Sequence, residues 1–237
     1  MRRRFFVDEV RNGHAHIEGD HARHLTSVLR VEAGQRYEIS DNRNVFLAEI
    51  ESARKNDVVF RTLEKLAPEA ARVSITLFAS LVKFDHFEWI IEKATELGVA
   101  RIVPVIAIRT ERGLEKAAEK RIERWRRIAL EASQQSRRAY LPELEDAIPF
   151  GEAVKRQAGY RYVLDEEGGA PLAGALPSTR DVEDTVAVLI GPEGGWTEAE
   201  RQQFGSAGWA RVSMGPLILR AETAAIAAIS VISGGWL

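Results

Sequence analysis

The spacing of hydrophobic and polar residues gives the first part of the chain a β-rich character. Short β-favouring runs are separated by turn formers and interrupted by one helical pattern, "DHARHLTSVLR", at residues 20–30. Such a meander predicts a small barrel, which we assign to residues 1–70, with a linker, "LAPEAAR", at residues 66–72. The predicted strands lie in the runs "RRFFVDEV", "HAHIEG", "QRYEISD", "VFLAEIES" and "DVVFRTLEKL".

From residue 71 to residue 237, strand and helix patterns alternate. Nearly continuous apolar runs, such as "VSITLFASLV" at residues 73–82, are typical of strands buried on both faces. Helix-period patterns follow them, the longest running from about Leu114 to Arg138. This alternation predicts an α/β domain with a parallel sheet and helices on both of its faces.

Two of the helix patterns begin with the spacing of a capping box, in which a short polar side chain precedes a Glu by three residues. The pairs are Asp85 with Glu88, and Thr197 with Glu200. Two tryptophans lie on the apolar stripes of helix patterns, and we expect both in the core. They are Trp89 and Trp125.

Composition is that of a soluble globular protein. The chain has 237 residues, 45% of them hydrophobic and 29% charged, with a net charge of −2. No apolar run is long enough to span a membrane, and Asp8 and Glu9 interrupt any signal-peptide core. The absence of cysteine excludes disulfides, a thiolate nucleophile and cysteine-ligated zinc. A cytoplasmic location without membrane attachment is the simplest interpretation.

Two segments are locally basic although the whole chain is not. Residues 116–138 contain eight Lys or Arg and three Glu, a net charge of +5. Residues 1–36 contain seven Arg and five acidic residues, together with four His. A single charge run is more often a solvated helix face, but two in one nearly neutral protein favour an RNA or DNA surface.

The histidines do not have the spacing of a metal site. His14 and His16 lie two apart on a strand pattern, whereas His21 and His24 share a helix face. No H-E-x-x-H motif accompanies them, so no metal is expected, and contact with solvent or RNA is the better interpretation. A serine hydrolase is also excluded, because no serine lies in a G-x-S-x-G turn.

Glycine-rich segments follow three predicted strands, at residues 164–168, 190–195 and 213–219. Ligands of α/β sheets gather at the carboxyl ends of the strands, and glycine allows close approach. Neither common phosphate-loop motif is present, and Glu193 would repel a polyphosphate. Any one segment alone is more often a tight turn. Together they predict a pocket of main-chain groups, suited to a flat, weakly charged edge such as adenine.

The stretch "GPLILRAETAA" places Arg220 and Glu222 at a junction between strand and helix, beside this pocket. In one interpretation they are helix-end residues, with Glu222 favourably placed against the helix dipole and Arg220 paired locally. In the other, Arg220 binds a substrate phosphate or a base carbonyl.

Motifs over nearly the whole chain resemble the RsmE family of ribosomal RNA uridine-N3 methyltransferases. They are "EWIIEKATELGV", "RIVPVIAIRTER", "ERWRRIALEASQQSRR", "IGPEGGWTEAE" and "VSMGPLILRAETAAIAAI". The resemblance implies a SPOUT-type catalytic domain with a carboxy-terminal trefoil knot, preceded by a PUA-like β-barrel that helps to hold RNA. It also implies homodimers, S-adenosylmethionine in the knot, and small-subunit ribosomal RNA, free or in an assembled subunit, as substrate.

The resemblance also implies site residues. The cofactor site would contain Asp165, Gly191, Pro192, Gly194, Gly195, Met214, Ile218 and Leu219. Arg220 would stabilise charge on the uracil carbonyls, and Glu222 or water would accept the N3 proton. RNA contacts would come from His24, Arg30, Arg109 and Arg138.

Two departures from the family pattern stand out. The family commonly has Arg where this chain has Leu217, and Glu-Gln-x-Gly-Arg where it has residues 134–138. The first weakens any role for a second arginine in the knot, and the second redistributes charge on the RNA face. Two alternative functions stay open: methylation of another RNA atom such as a ribose 2′-hydroxyl, and RNA binding without catalysis.

Overall fold

The structure, a computed structural model, describes residues 3–68 and 73–237. The chain divides into two compact units, residues 1–70 with 133–141, and residues 71–132 with 142–237. The predicted domain boundary and most of the predicted linker lie outside the described residues. Within the described ranges, no helix is both long and apolar enough to cross a lipid bilayer.

The first unit is built on a five-stranded sheet with the order β1-β3-β4-β5-β2. Strands β1 and β3 are parallel, and the other neighbours are antiparallel. Register shifts in the β4–β5 pair bend these two long strands, because an extra residue on one strand increases the local twist. All five predicted strands are confirmed: β1 (Arg4–Phe6), β2 (His14–Glu18), β3 (Arg36–Ser40), β4 (Val45–Arg54) and β5 (Asp57–Leu66).

A short helical segment and a distant stretch of chain complete this unit. Helix α1 (Gly19–Arg23) continues into a π-helical turn, His24–Val28. Residues 133–141 are held by side chains of the sheet region: the Ser40 hydroxyl donates to the carbonyl oxygen of Ala139 at 2.6 Å. The unit's core includes Phe5, Leu25, Ile39, Ile50 and Phe60.

The second unit is built on a wholly parallel sheet with the order β11-β13-β10-β12-β6-β7-β8, and β9 also pairs with β7. This confirms the predicted parallel α/β sheet. The strands are β6 (Ser74–Ser80), β7 (Arg101–Ile106), β8 (Glu143–Leu144), β9 (Ile148–Pro149), β10 (Tyr160–Leu164), β11 (Ala170–Pro171), β12 (Thr185–Ile190) and β13 (Ala210–Ser213).

Helices cover both faces of this sheet. Alternate strand residues enter two separate cores: Leu77 and Val188 lie in one, whereas Phe78 and Leu189 lie in the other. Helices α2, α4 and α8 pack on the first face, and α5 and α7 on the second. The helices are α2 (Phe84–Glu96), α3 (Leu114–Glu119), α4 (Ile122–Ser136), α5 (Phe150–Ala153), α6 (Leu172–Ala175), α7 (Glu198–Ser206) and α8 (Ala221–Gly235).

Three expectations about the helices need correction. The single long helix is wrong, because the chain forms α3 and α4 with a break between them. The first capping box is also wrong: α2 has Lys83 as its N-cap without a side-chain hydrogen bond, and the Glu88 carboxylate is taken by Arg124 and Arg121. Trp89 is not a core residue, because 60% of its surface is exposed.

The other helix expectations hold. Thr197 and Glu200 form both hydrogen bonds of the capping box that starts α7. Trp125, a residue of α4, is buried in the core and packs against Phe84 and Phe87.

Candidate ligand-binding site

A cavity of about 540 Å³ lies at the carboxyl ends of β10, β12 and β13. These strands are neighbours in the sheet, so the segments that follow them meet at one edge. The walls come from three loops: loop A (residues 165–169), loop B (191–196) and loop C (214–220). Side chains from the start of α2 and of α8 complete it. The volume is within the range of small-molecule sites, about 300–1,000 Å³.

Asp165 in loop A lines the cavity, but its carboxylate is occupied by the protein. Arg201 on α7 contacts both carboxylate oxygens, through Nε at 3.0 Å and Nη2 at 3.1 Å, and Arg211 Nη2 lies 2.8 Å from Oδ2. Burial alone would raise the pKa of Asp165, but the Arg201 hydrogen bond, an N–H donated by Glu167 and the two positive charges lower it. Asp165 therefore anchors loop A to α7.

The glycines of loop B lie close to other atoms of the protein, and one of them has a positive φ. Gly195 has a φ of +68°, and a Cβ added there would lie 2.3 Å from Glu166 Oε1. A Cβ at Gly191 would lie 3.1 Å from the Trp196 ring. A Cβ added at Gly194 would lie 3.3 Å from the Arg109 Cβ. Gly194 does not line the cavity, unlike the other predicted cofactor residues of this loop.

Two polar anchors hold loop B against the strand ends. The Trp196 indole N–H donates to the carbonyl oxygen of Leu164, the last residue of β10, at 2.8 Å. The buried Glu200 carboxylate caps α7 and also accepts the N–H of Ile108 at 2.8 Å, which ties the start of α7 to the segment after β7. The loop is thus fixed before any ligand arrives.

Loop C offers main-chain groups that are free to bind a ligand. Within the described chain, the N–H groups of Met214, Gly215, Leu217, Ile218 and Leu219 make no hydrogen bond to the protein. Met214, Ile218 and Leu219 line the cavity, as does Leu217. Ile218 is 80% exposed, so this wall presents apolar side chains and unpaired amides together.

Arg220 and Glu222 lie where loop C enters α8. Arg220 is the N-cap residue of α8 and lines the cavity, and its guanidinium makes no ion pair or hydrogen bond within the described residues. The local pairing that was an alternative for Arg220 is therefore not formed. Glu222 lies in the first turn of α8 with its side chain 9% exposed, and it is not part of the cavity wall.

Sequence reasoning missed several side chains of this site, among them Lys83, Glu166 and His86. The one with the closest charged neighbours is His86. It lines the cavity from the second residue after the start of α2. Its Nδ1 lies 3.4 Å from Glu193 Oε1 and 3.8 Å from Glu222 Oε2. The available signal was position, because residues just beyond β6 lie at the same sheet edge as the three glycine-rich loops.

Known proteins share this architecture. Residues 69–233 match the RNA methyltransferase domain, and residues 17–63 match the RNA methyltransferase PUA domain. The ribosomal RNA small subunit methyltransferase E of Bacillus subtilis is 31% identical over 92% of this chain and 88% of that relative. The chain belongs to the ribosomal RNA small subunit methyltransferase E family. The Synechocystis member is 32% identical over 89% of this chain and 69% of its own length.

A solved family member agrees with the fold. The ribosomal RNA small subunit methyltransferase E from Neisseria gonorrhoeae, bound to S-adenosyl methionine, superposes with a TM-score of 0.88 at 29% identity, covering 99% of this chain and 98% of that one. The predicted fold class, a SPOUT-type α/β domain after a PUA-like β domain, is confirmed. The trefoil knot and the homodimer stay predictions.

The four predicted RNA contacts of this family member have different surroundings. His24 and Arg30, in the first unit, are exposed and have no side-chain partner among the described residues. Arg30 also has a φ of +51°, a conformation that non-glycine residues adopt mainly where the surroundings impose it. Arg109 instead donates from Nη1 to the carbonyl oxygen of Gly194 at 2.7 Å, so it supports loop B.

Arg138 is partly buried and has a partner within the protein. Burial lowers its pKa to about 10, so it stays charged at neutral pH, and its Nε donates to the carbonyl oxygen of Tyr140 at 3.0 Å. The neighbouring basic helix is also partly neutralised. Arg124 binds both carboxylate oxygens of Glu88 and, through this hydrogen bond first of all, keeps the Glu88 pKa below its ordinary value.

One surface group in the described residues has metal-ligating types close together. The side-chain ligand atoms of His16, Glu18 and Asp57 lie within 4.8 Å of one another on β2 and β5. His16 Nδ1 is already 3.3 Å from Asp57 Oδ1, so these two side chains are engaged with each other.

Proposed function

We propose that the chain transfers a methyl group from S-adenosylmethionine to N3 of a uridine in small-subunit ribosomal RNA. The observation that carries this proposal is the cavity at the ends of β10, β12 and β13, in a fold shared at a TM-score of 0.88 with a family member bound to S-adenosyl methionine. The family's name supports the RNA class. The choice of the uridine N3 atom rests on the motif resemblance.

The residues of the cavity fit this cofactor. The unpaired amides of loop C suit the hydrogen-bonding edge of adenine, and the apolar side chains beside them suit its faces. Glu193 places negative charge at the cavity, where a cationic sulfonium is tolerated, and Lys83 places positive charge there for a carboxylate. Asp165 and Gly194 contribute indirectly, by anchoring loops A and B.

When bound, the cofactor supplies an electrophilic methyl group whose bond to sulfur breaks with its electron pair going to sulfur. Methyl transfer also changes the charge on the acceptor base, and Arg220 is the side chain proposed to stabilise that charge. Its unpaired guanidinium at the cavity would stabilise negative charge that develops on the uracil carbonyls. The base must reach the cavity from a single-stranded loop or by extrusion from its stack. Glu222 or water was the expected acceptor of the N3 proton, but Glu222 does not line the cavity.

RNA would be held by His24 and Arg30 in the first unit, which are exposed and unpartnered among the described residues. Arg109 and Arg138 have protein partners and would contribute less. Phosphate contacts of this kind make affinity fall as salt rises.

The protein would act as a homodimer. One face of α2 is buried in the core through residues such as Ile90 and Ala94, yet Trp89 on the same helix is 60% exposed. Exposed aromatic residues of this size are enriched at protein interfaces. Replacing Trp89 with Ser should move the protein from dimer to monomer in sedimentation, and an unchanged dimer would place the interface elsewhere.

Methylation with labelled S-adenosylmethionine tests the proposed function. Purified full-length protein is incubated with naked small-subunit RNA and, separately, with assembled small subunits from cells lacking the enzyme. Digestion to nucleosides and mass spectrometry then identify the modified atom. Label in 3-methyluridine is the expected result. Label in a 2′-O-methyl nucleoside would show that the protein methylates a ribose 2′-hydroxyl instead. RNA binding without label would show that the protein binds RNA without catalysis.

A further inference from the structure

His86, Glu193 and Glu222 form a cluster that the proposed transfer has not used. His86 Nδ1 lies between the two carboxylates, at 3.4 Å from Glu193 Oε1 and 3.8 Å from Glu222 Oε2. Both distances are too long for good hydrogen bonds. Among the described residues, His86 Nδ1 and Glu222 Oε2 are buried polar atoms without a hydrogen-bond partner.

Such atoms are costly when they stay unpaired, and they concentrate at functional sites. The N-terminus of α8 stabilises negative charge on Glu222 but does not satisfy its Oε2 atom. A proton on His86 Nδ1 would point at both carboxylates and satisfy the cluster with a small movement. The two acidic groups therefore favour the Nδ1-protonated form of the neutral ring.

The opposite nitrogen is left as the acceptor. Nδ1 has no accessible surface, whereas 27% of the His86 side chain is accessible and the residue lines the cavity. Glu222 does not line the cavity and cannot contact a base there directly. The other charged groups around the ring are Asp85, 3.8 Å from Nε2, with Lys83 and Arg220 on the cavity wall.

We infer that His86 Nε2 accepts the proton of the methylated ring nitrogen, and that Glu222 and Glu193 orient the ring and stabilise its cationic form. The inference rests on the proposed function. The N3–H bond of uracil breaks and an N–H bond forms at Nε2, while the electron pair left on N3 forms the new bond to the methyl carbon. The imidazolium then releases the proton on Nε2 to water at the cavity, which restores the neutral ring protonated on Nδ1 beside Glu193.

Nuclear magnetic resonance of the protein alone tests the geometry. In protein labelled with ¹⁵N at histidine, the His86 signals are assigned by their loss in His86→Asn. We expect the neutral ring to carry its proton on Nδ1, and the Glu193→Gln, Glu222→Gln double variant to lose this preference. A neutral wild-type ring protonated on Nε2 would overturn the inference, whatever the activity.

Single-turnover methylation at saturating RNA and cofactor tests the role. His86→Ala should be slower at neutral pH by about 10²–10⁴-fold, the scale of general-base catalysis. The rate of this variant should keep rising with pH, because solvent must remove the proton, whereas the wild-type rate should level off. Cofactor affinity, measured by calorimetry, should stay unchanged. Glu92→Ala is the matched control, because Glu92 lies on the same helix, pairs with Lys93 and does not line the cavity, and it should retain the wild-type rate.

The structural alternative predicts different results. His86→Asn keeps a donor near Nδ1 but has no acceptor at the Nε2 position, so restoration of the rate by Asn would show that the ring only supports the cluster. A wild-type pH profile in His86→Ala would equally overturn the inference while leaving methylation itself intact. Absence of methylation by the wild-type protein would remove the proposed function and the inference together.

Discussion

Replacing Asp165 with Asn separates two roles for a residue that sequence motifs assign to the cofactor. In the structure, its side chain has no accessible surface and is bound by Arg201, which is 8% exposed. Arg211 binds the same carboxylate. Asn keeps the size of the side chain but removes its charge, so the buried Arg201 loses its main counter-ion. The expected consequence is a loss of stability rather than of cofactor affinity, because both carboxylate oxygens of Asp165 already bind protein side chains.

The magnitude follows from burial. Breaking a buried ion pair by removing one partner costs about 3–5 kcal/mol, because the other charge stays buried without compensation. Glu167 provides the matched control, since it binds the same arginine at 3.0 Å but is 59% exposed. Glu167→Gln should cost at most about 1 kcal/mol, the usual range for a surface pair. The ratio between the two variants therefore tests burial rather than arginine chemistry.

Urea denaturation followed by tryptophan fluorescence measures the difference. All five tryptophans lie in the second unit, so the signal reports the unit that contains Asp165. Calorimetry under native conditions should show cofactor affinity for Asp165→Asn within a few-fold of the wild type. Equal, small losses of stability in both variants, or a large loss of affinity with normal stability, would refute the anchoring role.

The stability difference should also depend on pH. Because the Asp165 pKa is lowered in the folded protein, its contribution is fully present above the ordinary aspartate value of about 4 and is lost as pH falls through the folded-state value. Wild type and Asp165→Asn should therefore converge in stability only under acid conditions. A difference that disappears near neutral pH would contradict the assigned ionisation.

Substitutions at three further positions, each with a control variant, test the site and the fold. Arg220→Ala should lower single-turnover methylation by ~10²–10³ with little change in cofactor affinity or melting temperature, and Arg220→Lys should rescue poorly because an ammonium cannot copy a planar fork; normal turnover would remove Arg220 from the mechanism. Ala224→Leu, at the cavity wall on α8, should weaken cofactor binding at least about tenfold, which corresponds to about 1.4 kcal/mol. Ala227→Leu, on the same helix but outside the cavity wall, should leave the affinity unchanged. Equal affinities of the two variants in calorimetry would show that the cofactor binds elsewhere. Arg137→Gly should stabilise the protein by about 0.5–1 kcal/mol in scanning calorimetry, since Arg137 has a φ of +59°, and the same gain in Arg137→Ala would exclude this explanation.

The order of strands and helices was predictable because it depends on local periodicity. Strands buried on both faces read as continuous apolar runs, and the Thr197–Glu200 pair forms its capping box within one turn of chain. The location of the cavity was predictable for a topological reason, since loops after parallel strands share one edge. None of these features requires knowledge of a distant partner.

The features that failed depend on distant partners. Glu88 has the spacing of a capping residue, but its carboxylate accepts hydrogen bonds from Arg121 and Arg124 of the α3–α4 region instead of capping α2. Trp89 has helical spacing with core residues, yet its position at the edge of the stripe leaves it in solvent. His86 belongs to no motif, and it becomes visible only when the start of α2 is placed beside loop B.

The glycines of loop B were the basis for predicting a cavity beside this loop, but the structure gives a different reason for their presence. Their absence of side chains was interpreted as room for a ligand, but the atoms they approach are protein atoms: the Glu166 carboxylate, the Trp196 ring and Arg109. A bulky residue at Gly195 would strain the loop through its positive φ before it could block a ligand. Ala224 is the better probe because it changes the cavity without changing loop B.

The turn that ends α4 at Arg137 affects how RNA binding by the first unit can be tested. The motif resemblance implies glycine at this position, and the left-handed conformation of Arg137 explains why a residue without a Cβ suits the turn that ends α4. Within the first unit, this turn presents main-chain groups to the sheet region: Arg4 Nη1 donates to the Arg137 carbonyl oxygen at 2.6 Å, and the Leu141 N–H donates to Asn42 Oδ1 at 2.7 Å. Deleting residues 1–68 would leave these groups without their partners, so the deletion would change more than RNA contacts. Charge-removing substitutions at exposed residues such as Arg30 therefore test RNA binding more cleanly than truncation.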